Sequence, residues 1–270
     1  MSATEASLAA RFELGRAVIK EAGALALDHF RQLEALTIRS KGRQDLISEA
    51  DLEVEILIRR RIADAFPGDG FLGEESGRAE VPDQAGIWVV DPIDGTQPFL
   101  TGASQWCVSI GYVADGRVEM GFVHAPARDE LFVGRRGGVA TLNGRPISVS
   151  PVTRVDEGVV EIGYSPRIGA DDILPVFERL LRQGGMYYRH GSGALAVCYV
   201  ACGRMIGYVE PHINAWDCVG GLAVLEAAGG QANDFLAGDG LWVGGPLIVG
   251  APAVYPALRE ILFGPGDASA

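Results

Sequence analysis

The stretch Trp88-Val89-Val90-Asp91-Pro92-Ile93-Asp94-Gly95-Thr96 sets a short apolar run against two carboxylates three residues apart. The run predicts a buried strand, and Pro92-Ile93-Asp94-Gly95 predicts the turn that ends it. Two acids so placed repel each other unless a cation lies between them. The hard cations that take carboxylate and carbonyl oxygens are Mg²⁺, Mn²⁺ and Ca²⁺. Gly95 lets the backbone come close to a ligand, and free N–H groups at the start of a following helix suit an anion. A cation beside an anion points to metal-assisted phosphate chemistry. Taken alone, Asp-Pro-x-Asp-Gly is also ordinary surface-turn chemistry, so the decision falls to the rest of the chain.

Three more acidic strings bear on it. Phe71-Leu72-Gly73-Glu74-Glu75-Ser76-Gly77 places paired acids after an apolar step. Trp216-Asp217-Cys218-Val219-Gly220-Gly221 places one acid at the start of an apolar helical stretch running to about Ala228. Lys41-Gly42-Arg43-Gln44-Asp45-Leu46-Ile47-Ser48-Glu49-Ala50-Asp51 opens a helix, with Ser48 and Asp51 spaced as a capping box. Each has a structural explanation of its own: Asp217 as a helix cap, Glu74-Glu75 as a solvated pair, Asp51 as a capping partner.

Together, in this order and spacing, the four strings resemble the inositol monophosphatase family of Mg²⁺-dependent, lithium-sensitive phosphatases. The resemblance runs from about Leu8 to about Leu262 and includes Phe66-Pro67, Gly191-Ser192 and Glu226-Ala227-Ala228-Gly229-Gly230. It implies a mixed α/β (α+β) fold, a layered α-β-α-β-α sandwich of the sugar phosphatase type. It implies that Glu74, Asp91, the Ile93 carbonyl, Asp94 and Asp217 hold two or three Mg²⁺ ions, with Mn²⁺ as a substitute. It implies that phosphate lies on the Gly95 and Thr96 N–H groups, and that Thr96 with Asp51 activates the attacking water, with Glu74 beside a third ion. Asp94, Ser192, Gly193 and Glu210 match positions that meet the hydroxyls of a cyclitol or sugar. Lys41 matches a family lysine near the site, or is a solvated loop charge. The implied reaction is hydrolysis of a small phosphorylated polyol, inositol 1-phosphate first, with a homodimer as the assembly.

Three positions depart from the family pattern: Gln97-Pro98 after Gly95-Thr96, Ile206 where many members carry Asp, and Ala215 before Trp216. Pro98 is compatible with a first helical turn. The departures leave inositol specificity open, since relatives act on histidinol phosphate, phosphoadenosine phosphate, fructose 1,6-bisphosphate or NADP. A reading from another class is a regulatory relative that binds RNA or protein.

Composition bounds these readings. The 270 residues suit one large domain or two intimate lobes, and 48% hydrophobic content suits a substantial core. A net charge of -12 argues against nucleic-acid or anionic-membrane binding. It does not argue against an anionic substrate, because bound cations reverse the sign locally. The four cysteines (Cys107, Cys198, Cys202, Cys218) form no CxxC pair, and Cys198 and Cys202 share a helix face as reduced core residues. No signal-like segment and no spanning apolar run is present, so a cytoplasmic location is expected.

Periodicity predicts helices at ~4–34, ~48–66, ~171–183, ~192–202, ~217–228 and ~252–263. It predicts strands at ~87–90, ~105–113, ~117–124, ~130–134, ~158–163, ~205–210 and ~246–250, with Asn143-Gly144 as a hairpin turn. Residues 1–150 read as a lobe of two helices on an antiparallel meander carrying most metal ligands. Residues 151–270 read as an α/β lobe supplying Asp217 and substrate contacts, the two forming one compact unit. The tail from Gly264 is expected to fray. Alternation cannot place Trp106, Tyr112, Phe122 and Phe132 on one face, so some are expected either beneath the N-terminal helices or against a partner. His29, His190 and His212 are expected to pack or face solvent.

Overall fold

The apolar stripe at the start of the chain forms helix α1 (Ala3–Phe30), followed by a 3-10 turn at Leu33–Ala35. This computed structural model describes residues 3–36, 38–42, 45–78, 86–165 and 167–266. Arg43-Gln44, Met1-Ser2 and the end of the tail from Asp267, about which expectations were stated above, lie outside the described residues. A hairpin of β1 (Ile38–Gly42) and β2 (Asp45–Ser48) leads into α2 (Glu49–Ala65). Ser48 caps α2 through the expected box, its N–H and hydroxyl both donating to Asp51 Oδ2 at 2.8 and 2.6 Å. Ala50, Val54, Ile58 and Ile62 line the buried face of α2.

The first sheet has eight strands. They are β3 (Gly70–Gly73), β4 (Gly77–Arg78), β5 (Ile87–Asp94), β6 (Cys107–Ala114), β7 (Arg117–Ala125), β8 (Glu130–Arg135), β9 (Thr141–Leu142) and β10 (Arg145–Pro146). From β5 to β10 it is an antiparallel meander, and β3 adds to β5 in parallel. Asn143-Gly144 makes the β9–β10 turn, with both residues at positive φ as such a turn demands. Between β5 and β6 lies α3 (Thr96–Leu100), with Gly95 before it at φ +94.

The second sheet has five strands in the order β12 (Met186–Tyr188), β11 (Val159–Ile162), β13 (Gly207–Ile213), β15 (Gly245–Gly250) and β14 (Gln231–Ala232). Its helices are α4 (Ala170–Arg182), α5 (Gly193–Ala201), α6 (Val219–Ala227), α7 (Gly240–Val243) and α8 (Tyr255–Phe263). The layers run α1/α2, eight-stranded sheet, α5/α6, five-stranded sheet, α4/α8. This is the expected α-β-α-β-α sandwich. Trp88 and Val90 of β5 face α1/α2, while Val89 faces α5/α6, so the strand is apolar on both sides.

Two expectations are corrected here. Pro92 and Ile93 do not end the strand in a turn. They form a bulge inside β5, because Asp91 pairs with Ser109 and Asp94 with Cys107, which sets two residues, Pro92 and Ile93, against one, Val108. Proline has no N–H to give to a ladder, and a bulge is where a sheet tolerates it. The meander aromatics need no partner either. Trp106, Tyr112 and Phe122 are buried toward α1/α2 and Phe132 toward α5/α6, because the sheet is covered on both faces. The exposed large apolar side chains lie elsewhere, notably on α4 (Leu174, Leu181) and on the edge strand β12 (Met186, Tyr187, Tyr188).

Helix α6 lies on bare backbone. Gly111, Gly121 and Gly134 stand side by side in register on β6, β7 and β8. A Cβ on Gly121 would fall 1.9 Å from the Gly220 carbonyl oxygen, and one on Gly134 2.5 Å from Val224 Cα. The three glycines make a trough that seats α6 against the sheet, with Asp217 at its leading end.

Candidate active site

The bulge in β5 aims Asp91 and Asp94 to the same side of the sheet edge. The Ile93 N–H donates to Asp91 Oδ1 at 2.9 Å, holding the bulge closed around its own carboxylate. Parallel pairing of β3 with β5 sets Gly73 beside Val90, so Glu74 emerges next to Asp91, and its N–H bonds the Val90 carbonyl at 3.2 Å. The trough under α6 brings Asp217 in from the C-terminal half. One oxygen from each of Asp91, Asp94 and Asp217 lies within 4.8 Å of the other two. Glu74 lines the same cleft without joining that tight trio.

The electrostatics follow from burial and like charge. Burial, then the charges of Glu74, Asp94 and Asp217, push the Asp91 carboxyl well above the usual carboxylate range. Asp94 is pushed up to about 7 by burial and by Asp217. Asp217 is raised chiefly by burial, with bonds from Asp91 and the Asn214 N–H and the charge of Arg167 partly offsetting it. Three hydrogen bonds restrain the shift of Asp94: from Ser192 Oγ (2.6 Å), the Gly193 N–H (3.1 Å) and the Ala194 N–H (2.7 Å). Ser192 and Gly193, expected to meet substrate, thus grip Asp94 itself. Cys107 completes that grip, its thiol 3.6 Å from Asp94 Oδ2, and burial pushes that thiol well up. Two buried carboxylates and the half-buried Asp217, with no lysine or arginine in a salt bridge to them among the described residues, form a hard-oxygen donor set that fits a small divalent cation.

The other expected residues are placed as follows. Thr96 heads α3 and its hydroxyl donates to the Ile93 carbonyl at 3.3 Å. Asp51 is fully buried in the first turn of α2. Gly95, at φ +94, has the Gln105 and Gly191 carbonyl oxygens 2.9 and 3.2 Å from where a Cβ would stand, so no side chain fits there. Glu210 is 7% exposed, accepts a hydrogen bond from the Tyr208 hydroxyl, and is pushed up to about 8 by burial. Nothing is described for the side chain of Lys41. Pro98 sits in the first turns of α3 and lines the cleft. Ile206 is a core residue, 3% exposed and packed on Gly158, and is not among the cleft residues. All four cysteines are free.

Two features escaped the sequence. Glu55, one helical turn beyond Asp51 on the buried face of α2, accepts the N–H groups of Glu75 and Ser76, both at 2.9 Å. It clamps the loop that carries Glu74, and Gly73 leaves it room, since a Cβ there would lie 2.3 Å from Glu55 Oε2. The i, i+4 spacing from Asp51 was the available signal. Glu161 and His190 form the second feature. The His190 N–H and Nδ1 meet the Glu161 carboxylate at 2.7 and 2.5 Å, anchoring the chain two residues before Ser192. His212 bonds the Val243 carbonyl at 3.1 Å and His29 meets Glu53 at 3.0 Å.

The cleft has a volume of about 830 Å³, the size of a site for a small organic molecule. Comparison with known proteins fits this geometry. Residues 9–261 match the family described as the inositol monophosphatase family. A Xylella fastidiosa protein named Nus factor SuhB is 36% identical over 255 residues, 92% of each chain. A Mesorhizobium japonicum protein named inositol-1-monophosphatase is 34% identical over 253 residues, covering 93% of this chain and 94% of the relative. The crystal structure of extragenic suppressor protein suhB from Bartonella henselae superposes with a TM-score of 0.87 at 30% identity, covering 94% of this chain and 98% of that one.

Proposed function

Because the chain belongs to the inositol monophosphatase family and is a phosphomonoesterase, we propose that it is a Mg²⁺-dependent hydrolase of a small phosphorylated polyol, inositol 1-phosphate first. The observation that carries this reading is the convergence of Asp91, Asp94 and Asp217. Glu74, Asp91, the Ile93 carbonyl, Asp94 and Asp217 would hold two or three ions, with Mn²⁺ able to replace Mg²⁺ and Li⁺ to inhibit. Bound there, the metal supplies Lewis-acid polarisation of the phosphate and lowers the pKa of water.

The chain's own residues do the rest. The Gly95 and Thr96 N–H groups orient the phosphate at the start of α3. Thr96 and Asp51 orient the attacking water and take its proton toward Asp51. Glu74, held by its loop, fixes a further water. Asp94, Ser192, Gly193 and Glu210 line the side of the cleft where the alcohol portion sits. A neutral Glu210 both donates to and accepts from a hydroxyl, which suits a polyol. Histidinol phosphate and nucleotide 3'(2'),5'-bisphosphates are the next substrates in line.

The 1–150 and 151–270 lobes, acting as one unit with the site within one chain, are part of the same proposal, as is a cytoplasmic homodimer. The exposed aromatic edge at Met186–Tyr188 supports a dimer better than the buried meander does. Among the described residues no helix is long and apolar enough to cross a membrane. Light scattering at micromolar concentration is expected to give twice the mass of one chain, and a single-chain mass refutes the dimer.

A second reading is favoured by relatives named Nus factor: a protein that keeps the fold and binds RNA or protein. Phosphate release from a panel of phosphomonoesters, with and without Mg²⁺, separates the two. Turnover that requires Mg²⁺ supports the first reading. No turnover on any member, with tight partner binding, supports the second.

A further inference from the structure

The cleft holds six carboxylates and two arginines. Four of the acids, Glu74, Asp91, Asp94 and Asp217, belong to the cation end. The other two already have partners: Glu161 is engaged by the N–H and ring of His190, and Glu210 by the Tyr208 hydroxyl. Arg167 acts on Asp217, and Arg189 on Glu210, only through its charge at a distance. Among the described residues neither arginine closes a salt bridge with an acid of the cleft. Arg189 gives one hydrogen bond, to the Tyr164 carbonyl at 3.2 Å, and lines the cleft. Two residues before Arg167 in sequence, Ser165 lines the same cleft with a buried hydroxyl that meets no acceptor or donor among the described residues.

Two arginines that line a cleft without closing a salt bridge to its carboxylates, near a hydroxyl that lacks a partner, are the donors an anion would need. A guanidinium is shaped to take a carboxylate or phosphate by two parallel bonds. Arg167, Arg189 and Ser165 line the same cleft as Ser192, Gly193 and Glu210. The cleft is also roomier than a single small polyol phosphate requires.

We propose that Arg167, Arg189 and Ser165 form a second anion subsite, so that the preferred substrates are phosphomonoesters whose alcohol portion carries a carboxylate or a second phosphate. This rests on the phosphomonoesterase reading above and narrows its substrate class. A neutral polyol phosphate remains a substrate, with the subsite idle.

The test uses matched pairs that differ in one anion: 2-phosphoglycerate against glycerol 2-phosphate for a carboxylate, and adenosine 2',5'-bisphosphate against adenosine 2'-phosphate for a phosphate. In the wild type, kcat/KM for the doubly anionic member of at least one pair should be higher by roughly tenfold, the scale of one charge-assisted pair. Whichever pair shows the preference identifies the anion. In Arg189→Gln and Arg167→Gln the ratio within that pair should fall toward one. Equal losses on both members would mean that the arginines only offset the acids, and would overturn the subsite. Calorimetric affinities for the same pairs in Ca²⁺-loaded protein give a readout independent of turnover. Equal affinities within both pairs overturn the subsite even if phosphate is released. Absence of all turnover, with the affinity difference intact, overturns the phosphatase reading and leaves the subsite standing.

Discussion

The two ends of the cleft are built on opposite principles. At the cation end, charge is concentrated: Asp91, Asp94 and Asp217 are packed together, and backbone N–H groups from Ile93, Gly193 and Ala194 hold them against their own repulsion. At the far end charge is dispersed: Glu161 is engaged by His190 and Glu210 by Tyr208, and among the described residues Arg167 and Arg189 close no salt bridge with them. The first end is strained until a cation arrives, whereas the second is at rest and selects. Chemistry and selectivity should therefore respond to different substitutions.

The largest effect should come from the strained end. Asp94→Asn is expected to lower kcat/KM on the order of 10³-fold, the scale of losing one electrostatic stabiliser. Its metal-free stability should be equal to or above wild type, since a repelling carboxylate is gone. Near-normal turnover at saturating Mg²⁺ would remove Asp94 from the site. Next comes Glu55, which holds the Glu74 loop through the Glu75 and Ser76 N–H groups. Glu55→Ala should weaken Mg²⁺ by roughly 10–100-fold, as outer-shell losses do, while kcat at saturating metal recovers to within a few-fold. A Mg²⁺ titration of activity and of Tm checks both parts. A fall in kcat that Mg²⁺ does not rescue would make Glu55 part of the chemistry.

Glu210→Gln probes the resting end. It should change selectivity among polyol phosphates by about 1–3 kcal/mol in kcat/KM, with little change in Mg²⁺ affinity. A uniform loss that extends to aryl phosphates would make the residue structural.

The smallest effect is thermodynamic. Asp94 and Glu210 have folded-state values raised to about 7 and about 8. Raised carboxyls favour the fold fully below their ordinary range near 4, and that contribution is lost as pH rises through the raised values. Metal-free protein should therefore lose Tm between pH 5 and pH 8, on the order of 5 °C. Mg²⁺ at pH 8 should restore it, and metal-free Asp94→Asn should show a shallower fall. A metal-free Tm that rises over this interval would contradict the concentration of charge at the cation end.

The contrast also explains what could be read from the chain. The cation end was legible because Asp91 and Asp94 share one strand with an apolar signature, and Glu74 and Asp217 each follow a short recognisable string. What was misread there was local: Pro92 looked like the end of a strand, since sequence does not reveal that β6 resumes pairing beyond it at Cys107. The resting end was hardly legible. The pairing of His190 with Glu161 joins residues 29 apart, and no spacing in the sequence announces it. Ile206 shows the converse, a departure that suggested altered specificity and proved to fill core against Gly158. The meander aromatics were ambiguous for a related reason. Alternation shows that a strand has two faces, but not that both are covered.

The glycine trough beneath α6 has a meaning beyond packing. Side chains can repack around a change, but backbone resting on backbone has almost no slack. With Gly121 set against Gly220 and Gly134 against Val224, the height of α6 above the sheet is a fixed gauge. Asp217 rides at the end of that gauge, opposite Asp91. The spacing of the two carboxylates, and with it the ionic radius the pair would accommodate, is thereby calibrated by residues that would never touch an ion. An alanine at Gly121 would act as a shim, shifting the preference from a small cation toward a larger one.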